Sequence, residues 1–170
     1  MNIRTALGII SSMDSNGNRA GSDRESAGFT NSVTSVMRNV GLIEERPNGS
    51  NGYPTFILNG VSYQIKTSKG NKPMWNESFV RTDSVLILNL AFGTVIVHGS
   101  LVTDIETEAK LIKAKDFVAN YLRDEFPNVN ENFFVSGGRV QFGDNIDWKN
   151  SRVSFLNETL KILEKGHTNV

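Results

Sequence analysis

The spacing of apolar residues changes several times along the chain, and each change marks a predicted element. Phe29, Val33, Val36, Met37 and Val40 recur at three- and four-residue intervals, which places them on one face of a helix. Ser22-Asp23-Arg24-Glu25 opens that run as a capping box, with Ser22 accepting from the Glu25 amide and the Glu25 carboxylate reaching back to the Ser22 amide. Gly41 supplies a C-terminal cap. The period then shortens. Leu42 to Arg46 reads as a short strand and Pro47 to Gly52 as an exposed, mobile loop dense in turn residues. Tyr53 to Leu58 and Val61 to Ser68 are β-rich runs on either side of Asn59-Gly60, the strongest short signal for a two-residue hairpin turn.

That turn sets a register. If Leu58 faces Val61, then Ile57 pairs with Ser62, Phe56 with Tyr63 and Thr55 with Gln64. Paired residues share a face, so Thr55, Ile57, Ser62, Gln64 and Lys66 are predicted on one side, and Phe56, Leu58, Tyr63 and Ile65 on the core side. Ser84 to Ala91 and Thr94 to His98 are apolar and β-branched, and extend the sheet as central strands. Helices are predicted over Met1 to Met13, from Thr103-Asp104-Ile105-Glu106 onward, and from about Asp147 to Lys165. The second of these carries Leu111, Ile112, Ala114, Phe117, Val118, Tyr121 and Leu122, with Pro127 just past its end. The third places Val153, Leu156, Leu160 and Leu163 on one stripe. Phe133 to Phe142 reads as a further hairpin around Gly137-Gly138. The fold class implied is mixed α/β, a central mixed sheet flanked by helices, in a single domain spanning residues 1–170.

Composition narrows the function classes. A chain of 170 residues suits one domain. The absence of cysteine removes disulfides, thiolate zinc sites and a cysteine nucleophile, and suits a reducing compartment, so the expected location is cytoplasmic. Met1 to Met13 lacks the long apolar core and cleavage site of an export signal, and no run approaches the roughly 20 apolar residues of a membrane span. No membrane partner is expected. Eighteen basic and eighteen acidic residues cancel, but they are unevenly placed. Arg46, Lys66, Lys69 and Lys72 lie in a stretch from Arg46 to Asn76 without a single acid, whereas Asp104 to Glu131 holds seven acids against four bases.

Three segments carry candidate chemistry: Gly52-Tyr53-Pro54-Thr55-Phe56, Tyr63-Gln64-Ile65-Lys66-Thr67-Ser68 and Met74-Trp75-Asn76-Glu77-Ser78. Together they resemble the PD-(D/E)xK nuclease superfamily, particularly its type II restriction endonucleases, over roughly residues 22–100. The resemblance implies a restriction endonuclease-like sheet and a Mg²⁺-dependent hydrolase cutting phosphodiesters of double-stranded DNA. In such enzymes an acid on the first strand and an acid-x-lysine triplet on the next hold Mg²⁺, and the lysine orients or activates water. Here Thr55 stands at the first acidic position and Gln64 at the second, with Lys66 as the lysine. The resemblance therefore assigns Lys66, Gln64, Thr55 and Glu25 as catalytic positions, with Gln64, Thr55 and Glu25 facing the metal. A palindromic target would imply a homodimer.

Lys69, Lys72, Trp75 and Asn76 form a downstream DNA-binding candidate, since lysine attracts phosphate and asparagine can pair with adenine. Trp75 has a second role open to it, closing the core beneath the loop, and Glu25 has its capping role. Glu44, Glu45, Glu77 and Asp83 read as surface charges, His98 as a satisfied histidine at a strand edge, and His167 as part of a frayed terminus. Gly137-Gly138-Arg139 lacks the lysine-serine ending of a phosphate loop. Three functions remain open at this point: an active endonuclease, a DNA-binding relative inactivated at its acidic positions, and a protein-interaction module using the helix at 104–125.

Overall fold

The computed structural model describes residues 1–13, 23–45, 54–75, 80–125, 140–141 and 145–167. Among these residues seven strands and four α-helices follow in the order α1 (Ile3–Ser11), α2 (Asp23–Arg38), β1 (Ile43–Glu45), β2 (Phe56–Leu58), β3 (Val61–Thr67), β4 (Met74–Trp75), β5 (Ser84–Leu90), β6 (Gly93–His98), a 3₁₀ turn at Gly99–Leu101, α3 (Ile105–Glu125), β7 (Val140–Gln141) and α4 (Arg152–His167). The main sheet runs β1-β2-β3-β5-β6, and β4 pairs separately with β7. Only the β3–β5 pair is parallel within the main sheet; β1–β2, β2–β3 and β5–β6 are antiparallel.

The hairpin forms as its turn dictates. Asn59 and Gly60 both take positive φ, 51° and 76°, the twist that a tight two-residue connection needs. Leu58 pairs with Val61, Ile57 with Ser62 and Phe56 with Tyr63. Phe56 and Tyr63 stack at 5.0 Å between ring centres, and both are buried. With Leu58, Ile65, Val85, Ile87 and Ile96 they form one face of the sheet, covered by Ala6, Leu7 and Ile10 of α1, Val33 and Met37 of α2, and Leu160 and Leu163 of α4.

Strand β5 is apolar on both faces, and every one of its residues is buried. Leu86, Leu88 and Leu90 point away from the first layer and join Val95, Val97, Val80 and Trp148 in a second apolar cluster. Phe155, from the start of α4, lies against that cluster, and its ring sits 5.9 Å from that of Trp148. The sheet is therefore sandwiched. Strand β6 lies at the end of the sheet rather than within it, and α4 packs along it. An edge strand whose residues are nearly all buried looks like an inner strand in sequence, because a helix has replaced the missing neighbour.

Three details of the helices differ from the periodic reading. α4 begins at Arg152; Asp147 instead accepts hydrogen bonds from the amide and side chain of Asn150 in the turn before it. Val153 is exposed, and Phe155 and Leu156 take its place toward the interior. On α3, Phe117, Val118 and Tyr121 are exposed despite their place in the helical apolar pattern that includes Leu111. Of the hairpin expected over 133–142, only Val140 and Gln141 are described, and they pair with Trp75 and Met74 in a separate ribbon. Ser22, the loop at 47–52 and Gly137-Gly138-Arg139 lie outside the described residues.

Arg152 ties the elements together. Its guanidinium donates to the carbonyls of Thr94 (3.1 Å), Phe92 (3.2 Å) and Ser11 (3.4 Å), joining the start of α4, the β5–β6 turn and the end of α1. Thr94 Oγ1 adds a bond to the Met13 carbonyl at 2.9 Å. Gly93 in that turn has φ 124°, and a Cβ there would lie 3.0 Å from the guanidinium nitrogens. Arg152→Ala is expected to lower the unfolding free energy by about 2–3 kcal/mol, because three charge-assisted bonds to carbonyls are lost together. Arg152→Lys should recover little of it, since one ammonium cannot span the three acceptors. Urea titrations of the two variants beside the parent chain provide the measurement.

Candidate functional site

The parallel register of β3 and β5 decides where the hairpin's polar face lies. Gln64 is level with Leu86 and Lys66 with Leu88, so both project toward the side of the second apolar cluster. Gln64 is 1% exposed. Lys66, two residues on, is half-buried, although Leu88 level with it is fully buried. The two expected site residues therefore share a face and differ in access: position 64 is enclosed, and position 66 reaches the surface.

Thr55 departs from the predicted pairing. Strand β2 begins at Phe56, which pairs with Tyr63, yet the Thr55 amide also donates to the Tyr63 carbonyl at 2.8 Å. Two successive residues thus meet one, as in a bulge, and the register slips before Gln64 is reached. The Thr55 hydroxyl then accepts the Ile65 amide at 2.9 Å, standing in for a backbone carbonyl that the bend after Pro54 has carried away. Its oxygen is committed to the ladder. Glu25 lies in α2, and its side chain, like Ser22 of the capping box, is outside the described residues.

Mg²⁺ prefers anionic oxygen donors. A threonine hydroxyl already accepting an amide and a buried carboxamide are both neutral, so Thr55 and Gln64 do not fit that ion as a ligand pair. Among the described residues no cluster of three or more carboxylate, histidine or cysteine groups is placed to hold a metal ion.

What the fold does gather is positive charge. Beyond β3, the Ser68 amide donates to the Asn89 carbonyl at 2.9 Å and the Ala91 amide to the Gly70 carbonyl at 3.1 Å, so the loop after β3 is pinned to the end of β5. Within that loop the Gly70 amide donates to Ser68 Oγ at 3.1 Å. Lys69 and Lys72 are exposed on it. Lys66, Lys69 and Lys72 therefore collect at the carboxyl end of the parallel pair, where strand ends leave room for a ligand. Trp75 lies in β4, with its side chain outside the described residues, as is Asn76 altogether.

The sequence pattern singled out neither Asn89 nor Glu108. Asn89 breaks the apolar run that follows Ser84 in β5, level with Thr67, and among the described residues its buried Oδ1 has no hydrogen-bond partner. An asparagine within Leu-Ile-Leu-Asn-Leu was a readable signal. Glu108 accepts from Arg81 Nη1 at 2.8 Å, from the Thr82 amide at 2.9 Å and from the Thr82 hydroxyl at 3.0 Å, fastening the first turns of α3 to the segment before β5. Burial alone would raise its pKa, but these donors and the Arg81 charge together hold the carboxyl below its ordinary value. That contact is tertiary, so no local pattern announces it.

Glu44 and Asp83 are exposed, as expected of surface charges. His98 ends β6, its amide donating to Thr159 Oγ1 at 2.8 Å and its Nδ1 lying 2.8 Å from Ser100 Oγ. Its ring accepts as the cap of the 3₁₀ turn, a structural role that needs the neutral imidazole. Comparison of the chain with family models, with curated proteins and with solved structures finds no match.

Burial lowers the His98 pKa from its ordinary 6.5, partly opposed by the Asp83 carboxylate. The unfolded chain therefore binds the proton more readily than the folded one. Stability from this group is complete above pH 6.5 and is lost as pH falls from there toward the depressed folded value. Denaturant unfolding across that window should show stability falling with acidity, and His98→Gln should flatten the dependence. An unchanged slope in the variant would assign the effect elsewhere.

Proposed function

We propose that the chain binds duplex DNA through the phosphates, on a sheet of restriction endonuclease-like design, and that it lacks hydrolytic activity as it stands. One observation carries the reading: Lys66 emerges at the carboxyl end of β3 beside a loop bearing Lys69 and Lys72, and that loop is fastened to the end of β5. Three cations on a pinned frame suit a backbone of regularly spaced phosphates better than a single small anion. The antiparallel run β1-β2-β3 followed by parallel β5 supports the likeness of design, as does the placement of Lys66 two residues beyond Gln64. The inactive form is preferred to the Mg²⁺-dependent nuclease because both metal-facing positions are neutral and the Thr55 oxygen is already engaged.

Binding through about three phosphates gives an affinity that falls with salt, with a log–log slope of about −3 for duplex DNA. Lys69→Ala and Lys72→Ala should each weaken binding to unrelated sequences alike and reduce that slope by about 1. Mobility-shift titrations at several salt concentrations read both quantities, and a chain that ignores DNA at low salt overturns the proposal. Incubation with plasmid and Mg²⁺ or Mn²⁺ addresses the chemistry. No cleavage by the parent chain and cleavage by the Thr55→Asp/Gln64→Glu variant would attribute the inactivity to the two absent charges. Cleavage by the parent chain would instead favour the active nuclease.

A further inference from the structure

Helix α3 presents to solvent what most helices bury. Phe117 is 69% exposed, Tyr121 52% and Val118 37%, and the two rings stack on one another with centres 6.4 Å apart. Scattered exposed aromatics are ordinary, but here they are contiguous, and the charges around them are ordered. Residues three, four, seven and eight apart share a helical face, so Lys113, Phe117, Tyr121 and Asp124 form one continuous stripe. Its cation lies on the N-terminal side of the aromatic pair and its anion on the C-terminal side. Both charged groups are exposed, and neither carries an ion pair among the described residues. The nearest cation further up the stripe, Lys110, is already bridged to Glu106.

A stripe running cation, ring, ring, anion is complementary to itself when reversed. With a two-fold axis beside residues 118 and 119, a second antiparallel copy of α3 sets Phe117 against Tyr121 of the other chain and Lys113 against its Asp124. Each contact then occurs twice, as a two-fold interface requires. A parallel copy would instead place like charges level with one another. We propose that α3 is a homodimerisation surface, and that its occupant is the α3 of a second copy of this chain, packed antiparallel along the Lys113–Phe117–Tyr121–Asp124 stripe. The inference is independent of the DNA-binding reading: it uses no residue of the hairpin, and its test contains no DNA. One helix on one helix is a small contact, so the dimer dissociates on dilution.

Sedimentation velocity over a concentration series, without nucleic acid, is expected to show a reversible monomer–dimer equilibrium. Phe117→Glu should leave only monomer while the circular dichroism spectrum stays that of the parent, since the ring is not part of the core. Lys113→Asp and Asp124→Lys should each weaken association about tenfold, because each places two like-charged pairs across the axis. The combined Lys113→Asp/Asp124→Lys chain should regain the parent affinity, an outcome that misfolding cannot imitate. A parent chain that remains monomeric at several hundred micromolar overturns the proposal, as does a dimer indifferent to Phe117→Glu or a combined variant no better than the single ones.

Discussion

The structure depends on a strand that cannot face water on either side. Ser84–Leu90 is buried along its whole length, and its parallel pairing with β3 fixes what stands beside it. Such a strand is stable only with a layer on each face. On one side α1, α2 and α4 supply it; on the other, the segment around Trp148 and the beginning of α4 do. The hairpin is attached to this strand rather than free, so its polar positions inherit their surroundings from β5. Gln64 is enclosed beside Leu86, whereas Lys66, level with Leu88, is half-buried.

Local pattern was most informative where geometry is set within a few residues. Asn59-Gly60 determines its own turn, and the turn determines the pairing out to Phe56 and Tyr63 and the face on which the core forms. The prediction ended at Thr55, where the bend after Pro54 shifts the ladder by one residue. Period also identifies a face without saying whether anything covers it. Leu160 and Leu163 are buried, whereas Val153, Phe117 and Tyr121, with equal helical regularity, are exposed. β6 shows the reverse error, since an apolar strand reads as internal whether its neighbour is another strand or a helix.

At the candidate site the sequence located the lysines and left their setting open. Their convergence depends on the Ser68–Asn89 and Gly70–Ala91 contacts, which join residues some twenty positions apart. The chemistry at positions 55 and 64 could be read as residue types alone, but not the use to which the Thr55 oxygen is put. A hydroxyl that replaces a backbone acceptor has a structural task wherever the chain bends, and that task accounts for Thr55 without catalysis. Lys66, Lys69 and Lys72 bring positive charge to that end of the sheet, whereas positions 55 and 64 are neutral.

The reach of Arg152 bears on how the molecule comes into being. Its guanidinium touches Ser11, 141 positions earlier, and Arg4 pairs with Glu164 across 160. α1 has nine residues, too few to hold a helix in water unaided, and its apolar side rests partly on α4. α2 and β6 give it part of its support earlier in synthesis, and the covering is complete only once α4 has been made. Contacts of such long sequence separation slow folding, and for that interval the newborn chain offers Leu7 and Ile10 to whatever else will take them.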